Sequence, residues 1–159
     1  MRVHAARRTV TPGIVAGTGA AALSIIPDRN YTPGVKDRKL ENLHHVVEMA
    51  RNRQFPIIVG TERNAPGNKF VDSFQTAELA PLLPVFLRGA HIVYAHSVLQ
   101  GQAGLGYLSR WATKTFNTLA AKNDFFESLG QKLTPETEGR LAGLTETATP
   151  EQVLGCAFA

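Results

Sequence analysis

Three short apolar runs recur along the chain at nearly constant spacing, and they constrain its fold more than any other feature. The runs are Ala21–Ile26, Phe55–Val59 and His91–Ala95. The equivalent positions Ile26, Ile58 and Val93 are 32 and 35 residues apart, close to the roughly 31 residues that each unit of a (β/α)₈ barrel occupies. Parallel strands covered by helices are apolar on both faces, as Phe55–Val59 is. The spacing therefore predicts consecutive parallel βα units.

The length of the chain limits how much of a barrel it could form. With 159 residues, it is shorter than the roughly 200 residues or more that a closed eight-stranded barrel needs. We therefore expect an α/β fold, a partial TIM barrel or half barrel, with a helical carboxyl-terminal third. Residues 1–19 show no periodicity and form a loose lead-in, whereas residues 20–159 form a single domain.

The segments between and after the strands carry helical signals. Apolar residues at helical spacing predict a helix over Val35–Arg53, and Thr76 and Gly89 are typical of the start and the end of another. The last third contains two further helical segments, Gly104–Thr115 and Phe116–Lys132. Two more helix starts share a Thr-Pro-Glu sequence, at Thr134 and Thr149, and Gln152 completes a capping box with Thr149.

Composition excludes several classes of protein. The net charge is +4, but basic and acidic residues are mixed along most of the chain, so we expect no nucleic-acid partner. Cys156 is the only cysteine, which excludes an intrachain disulfide and a multi-cysteine zinc site and suits the reducing cytoplasm. No apolar run approaches the roughly 18 residues of a membrane span. These features predict a soluble, cytoplasmic protein.

Three residues with metal-binding or catalytic side chains follow directly after the predicted strands. They are Asp28, Glu62 and His96. Because the carboxyl ends of parallel strands meet at one edge, these side chains would converge there. Two carboxylates and an imidazole are a typical ligand set for a divalent metal such as zinc or manganese, which activates water for hydrolysis. The structural alternative pairs each carboxylate with an arginine and has His96 donate to a backbone carbonyl.

The first two of these positions begin a repeated tripeptide, Asp-Arg-Asn and Glu-Arg-Asn. Guanidinium and amide groups there would bind an anionic or hydroxylated substrate, or would instead tie neighbouring loops together. The predicted substrate-binding residues are Arg29, Asn30, Arg63, Asn64 and, in a long loop, Asp72. The segment Gly101–Gly106 precedes a predicted helix, where backbone amides could hold a phosphate, but its glycines do not follow the dinucleotide-binding pattern and an ordinary flexible turn is the favoured interpretation.

Several strings of residues together suggest a family. They are Ile25–Asn30, Val59–Asn64, Phe70–Asp72, Glu78–Pro81 and Gly89–His96. Over Ala22–Leu154 the chain resembles the carboxyl-terminal half of a bacterial (β/α)-barrel family similar to metal-dependent hydrolases of the amidohydrolase or PHP type. The resemblance implies a divalent metal cofactor. Those hydrolases usually carry a His-x-His pair on their first strand, which this chain lacks, so the resemblance also implies a fragment without the first ligands.

Three functions are compatible with these patterns. The favoured one is a metal-dependent hydrolase acting on a small molecule at the carboxyl ends of the strands. The second is a non-catalytic domain that binds an anion or a sugar phosphate. The third is an inactive half barrel, stable only when its open strand edges pair with the missing barrel half or with a second copy of the chain.

Overall fold

The structure is a computed structural model, and it describes residues 19–27, 36–61 and 73–158. Within these residues the elements are β1 (Leu23–Ile25), α1 (Lys36–Asn52), β2 (Ile57–Val59), α2 (Leu83–Ala103), α3 (Arg110–Thr115), α4 (Leu119–Lys132) and α5 (Pro150–Phe158). Two 3₁₀ helices are present at Ala80–Leu82 and Glu138–Leu141. The described chain is thus mostly helical.

The first part of the described chain is a single strand–helix–strand unit. β1 and β2 are parallel neighbours, with Leu23 opposite Ile57 and Ile25 opposite Val59. The helix between them, α1, buries a stripe formed by Leu43, Val47 and Ala50 in the same cluster as Ile57. Residues spaced by three and four positions lie on one helix face, so the sequence pattern correctly predicts this helix and the two strands that flank it.

The predicted third strand is wrong, because His91–Ala95 lies inside α2. This helix runs through Gly89, which the sequence marks as a helix end, and it stops only at Gly104. The buried residues of α2 follow helical spacing, namely Phe86, Gly89, Ile92, Ala95, Val98 and Leu99. A short apolar run fits a buried helix as well as a buried strand. With two short strands in the described chain, the half barrel and its consecutive βα units are contradicted.

Helix α2 occupies the centre of the fold because two glycines let its neighbours approach closely. A Cβ atom on Gly89 would overlap the carbonyl oxygen of Ile57 in β2, and one on Gly130 of α4 would overlap the carbonyl oxygen of His91. Both glycines are buried. Glycine at these two points therefore permits backbone contact between α2 and each of its neighbours, which any side chain would prevent.

Two clusters of buried side chains form the core, and α2 contributes to both. The smaller cluster joins α1, the two strands and Phe86. The larger one contains aromatic rings packed edge to face, including Tyr107 on Phe126 and Trp111 on Phe125, with centroids 5.1 and 5.7 Å apart. Such aromatic pairs add to the free energy of burial. The predicted helical carboxyl-terminal third is therefore present as a packed layer.

The boundaries of the later helices differ from the prediction. Helix α3 begins only at Arg110, after a Ser109 cap whose side chain accepts a hydrogen bond from the Ala112 amide. Thr118 caps α4 in the same way. The start predicted at Thr134 leads to a turn and a short 3₁₀ helix, whereas the one at Thr149 leads into α5.

One segment, Ala80–Ala103, is long and apolar enough to cross a membrane by length and composition alone. The core helix of a soluble protein passes the same test. Here the segment contains α2, whose residues belong to both core clusters and whose glycine contacts β2. The structure therefore favours a soluble protein.

Candidate functional site

The carboxyl ends of β1 and β2 lie side by side, as the sequence argument requires. The Gly60 amide donates a hydrogen bond to the Ile25 carbonyl at 2.8 Å, which extends the pairing one residue beyond β2. Pro27 and Thr61 are the last residues described at this edge. The structure therefore brings to one edge the two chain segments that precede the repeated tripeptides.

Register relates the two tripeptides to each other. Ile25 and Val59 are opposite partners in the sheet, and Asp28 and Glu62 each follow three residues later. All but one of the predicted site residues lie outside the described residues: Asp28, Arg29, Asn30, Glu62, Arg63, Asn64 and Asp72. Their convergence at this edge stays a prediction that the parallel pairing supports.

His96 is the one predicted site residue that the structure describes, and it does not follow a strand. It lies in α2, where its Nδ1 accepts a hydrogen bond from the Tyr107 amide at 3.0 Å. This bond occupies the Nδ1 lone pair, so Nδ1 is not available to a metal, and His96 does not lie at a strand end beside the repeated tripeptides. The side chain thus holds the loop after α2, and the bond differs from the predicted one because the imidazole accepts instead of donating. Within the described residues, no group of three metal-ligating side chains is found.

The glycine-rich segment after α2 is an ordinary helix end. Gly104 has a left-handed φ of 71°, and its amide donates to the Gln100 carbonyl at 3.0 Å. The next amides are also used within the protein, since Leu105 donates to Leu99 and Gly106 donates to Gln100 Oε1 at 3.2 Å. Amides that already have partners cannot cradle a phosphate. The structure therefore favours the simpler of the two interpretations.

Sequence reasoning missed a cleft of about 700 Å³ at the opposite end of β2. It forms where the end of α1, the start of β2, α2 and α4 meet. Its polar lining consists of Glu48, Arg51, Asn52, Gln54, Arg88, Asn123 and Glu127. Arg88 is held by two carboxylates of α4, with Nη2 2.6 Å from Asp124 Oδ1 and Nε 3.2 Å from Glu127 Oε2.

The inner wall of this cleft is fixed by Asn123, whose side-chain amide is fully committed. Asn123 is only 2% exposed. Its Oδ1 accepts a hydrogen bond from the Tyr107 hydroxyl at 2.5 Å, and its Nδ2 donates to the Gln54 carbonyl at 2.7 Å. A buried amide with both ends satisfied stabilises one arrangement of its neighbours. The sequence signal for this buried contact was an asparagine placed at helical spacing from Leu119 and Phe126, on the apolar face of α4.

Burial also shifts the titration of two groups beside Asn123. It raises the pKa of Tyr107 to about 12, because the phenolate would lose its hydration, while the positive charge of Arg88 acts in the opposite direction. It lowers the pKa of Lys122, whose ammonium lies 4.1 Å from the centre of the Tyr107 ring. The neutral phenol is therefore the form that donates to Asn123 at physiological pH.

Comparison with known proteins finds no matching family model, no similar curated protein and no similar solved structure. The resemblance to metal-dependent hydrolases therefore stays a prediction, and an argument about function depends on the residues of this chain.

Proposed function

We propose that this protein binds a divalent cation and a small anionic substrate at the carboxyl edge of β1 and β2, and that it hydrolyses the substrate. The observation that carries the proposal is the parallel pairing of Ile25 with Val59. It supports a common location for Asp28 and Glu62, which follow these partners at equal distance in the sequence. Ligands of open parallel sheets bind outside the carboxyl ends of the strands.

The chemistry of the proposed site follows from its side chains. Asp28 and Glu62 would hold the cation, and one of the two carboxylates would accept the proton that the attacking water loses. The repeated arginines and asparagines would bind the substrate. The arginines and asparagines are Arg29, Asn30, Arg63 and Asn64, and Asp72 would close over the substrate. Without His96 the donors are oxygen atoms, which suit Mg²⁺ or Mn²⁺ better than Zn²⁺. A bound cation supplies a water of lowered pKa.

Binding of an anion or a sugar phosphate without catalysis is the second candidate. The position of His96 in α2 favours it, because the engaged imidazole leaves the edge without the acid–base group that the sequence suggested. The two arginines would then suffice, since guanidinium groups bind phosphate through paired hydrogen bonds.

Calorimetric titration with MnCl₂ tests the first candidate. We expect the parent to bind Mn²⁺ and Glu62→Gln to bind it at least about tenfold more weakly, with unchanged unfolding, because an isosteric replacement removes charge only. Glu146→Gln, at an exposed position of the described chain, is the matched control.

Manganese-dependent release of p-nitrophenol from p-nitrophenyl phosphate would support hydrolysis. Phosphate binding without Mn²⁺ binding would instead establish the non-catalytic candidate.

We also propose a cytoplasmic location. Cys156 is a half-buried free thiol, a state that a reducing compartment preserves. The substrate of this proposal is a small molecule, with neither nucleic acid nor membrane as a partner.

A further inference from the structure

The cleft at the amino end of β2 is separate from the site proposed above. Phe55 and Pro56, which line it, precede β2, whereas the proposed hydrolytic edge follows Val59. Its volume of about 700 Å³ falls within the range of about 300 to 1,000 Å³ typical of small-molecule sites.

We propose that this cleft binds a small zwitterion with an apolar body, of the amino-acid or dipeptide class. Glu48 and Arg51 carry the central argument. Both are exposed on α1 and line the cleft. Neither has an ion-pair partner among the described residues. Positions three apart on a helix are neighbours, about 5 to 6 Å between Cβ atoms, so one carboxylate and one guanidinium can bind the two ends of the same small molecule.

The second arginine of the cleft already has carboxylate partners. Arg88 is paired with Asp124 at 2.6 Å and with Glu127 at 3.2 Å. These pairs leave no excess positive charge on the inner wall that would select a bare anion. The lining as a whole carries two guanidinium groups and two carboxylates. A ligand with one positive and one negative end therefore matches the cleft better than a ligand of single charge.

Part of the cleft lining is apolar and would receive the body of the ligand. Phe55 and Val85 are half-buried beside Pro84. Contact with aliphatic side chains of a ligand would remove this apolar surface from water, which is favourable roughly in proportion to its area. Polar groups at one side and an apolar wall at another are the usual composition of a small-molecule site.

Hydrogen bonds fix one part of the lining, around Gln54, in the absence of a ligand. Gln54 has a positive φ of 58°, and its carbonyl accepts the hydrogen bond from the buried Asn123 amide. The amides of Gln54 and Phe55 close the end of α1 by donating to Arg51 and Ala50 at 2.9 Å each. A site held in one conformation costs less to order on binding.

Titration of the ¹⁵N-labelled full chain with the dipeptide Leu-Leu and with free leucine, without added metal, tests this proposal. The side-chain amide signals of Gln54 and Asn123 report on the cleft. We expect saturable shifts with at least one of these probes. N-acetylated and carboxyl-amidated forms of the probe should bind about three- to fivefold more weakly, as expected for loss of one exposed charge pair.

Glu48→Gln and Arg51→Gln should each weaken binding of the unblocked probe by a similar factor, because both side chains are exposed and their loss leaves the fold intact. Glu41→Gln, at an exposed position of the same helix, is the control and should bind like the parent. The proposal is overturned if neither zwitterion shifts these signals at millimolar concentration, if blocked and free probes bind equally, or if inorganic phosphate alone produces the same shifts. Because no metal is present, failure here is distinguishable from failure of the hydrolytic proposal.

Discussion

Gln54 adopts a backbone conformation that glycine adopts at lower cost. Its φ is 58°, in the left-handed region, and it occupies the position just beyond α1 where helices commonly end in glycine. The hydrogen bonds of Gln54 and Phe55 to Arg51 and Ala50 complete this helix end. A non-glycine residue in this conformation costs about 1 kcal/mol.

Gln54→Gly should therefore raise the free energy of unfolding by up to about 1 kcal/mol, less the greater entropy that glycine gives the unfolded chain. Urea unfolding measures it. Gln54→Ala is the control, because alanine keeps the Cβ atom and should show no gain. Equal stability of the two variants would show that the left-handed conformation is not the cause.

Tyr107 makes the stability of the protein depend on pH in the alkaline range. Its pKa is raised from the ordinary 10.0 to about 12, with burial as the main cause. The folded state therefore favours the neutral phenol. This contribution is fully present below about pH 10 and is lost as pH rises from about 10 to 12.

Tyr107→Phe should cost about 1 to 3 kcal/mol at pH 7, because it leaves the buried oxygen of Asn123 without its donor. The same variant should lose less stability than the parent between pH 9 and pH 11. Guanidinium unfolding at the two pH values measures both effects. An identical alkaline loss in parent and variant would rule out Tyr107 as the titrating group.

At Thr149 the residue-scale prediction from sequence is correct, because the partner lies three residues away in the chain. The capping box at the start of α5 is present, with the Gln152 amide donating to Thr149 Oγ1 at 3.3 Å and the Thr149 amide donating to Gln152 Oε1 at 2.8 Å. His96 fails because its partner is the amide of Tyr107, eleven residues away. A hydrogen bond across a loop depends on the path of that loop, which local pattern does not specify.

At the scale of elements, α2 shows why the third strand was mispredicted. Its apolar run, His91–Ala95, is short enough to fit either type of element, and Gly89 before it resembles a helix end. In the structure Gly89 serves a packing role, because its backbone lies against Ile57. Whether a glycine ends a helix or lies within it at a close contact with a neighbouring element depends on which element packs against that position. By contrast, the stripe of α1 from Leu43 to Ala50 repeats at helical spacing over about two turns and indicates a helix.

Two glycines of α2 form a matched pair for testing this contact. Gly89→Ala should destabilise the protein by about 2 to 4 kcal/mol, because the added methyl group overlaps the backbone of β2 and the helix must move away. Gly101→Ala should stabilise it by about 0.5 to 1 kcal/mol, because nothing lies within 4 Å of the added atom and alanine favours helix. Thermal unfolding compares the two variants. Similar stability for both would contradict the close packing of α2 on β2.

At the scale of the whole molecule, the structure removes part of the reason for predicting that the fold is stable only when it pairs with another chain. The prediction assumed three parallel strands with two open edges. In the structure the pair β1–β2 has α2 beside it, with the Ile57 carbonyl against Gly89. Pairing with a second copy of the chain stays a prediction, and the strand that would pair is now β1. Light scattering decides it, since a dimer has twice the 17.2 kDa mass of the chain.

The architecture was predictable only where helix and strand signals were unambiguous. The strand–helix–strand unit follows from local periodicity, and so does the helical last third. The number of strands depended on the single ambiguous run in α2. The cleft beside Asn123 was not predictable, because it forms where the connection from α1 to β2 meets α2 and α4, with a hydrogen bond between residues 54 and 123.

The central claim, that the carboxyl edge of β1 and β2 holds a divalent cation, is tested most directly by paramagnetic broadening. Mn²⁺ added to the ¹⁵N-labelled protein should broaden the amide signals of Ile26, Gly60 and Thr61 before those of the cleft residues Gln54 and Phe55, because relaxation falls steeply with distance from the ion. In Asp28→Asn/Glu62→Gln this selectivity should disappear. Uniform broadening, broadening centred on another part of the fold, or an unchanged pattern in the double variant would contradict the claim.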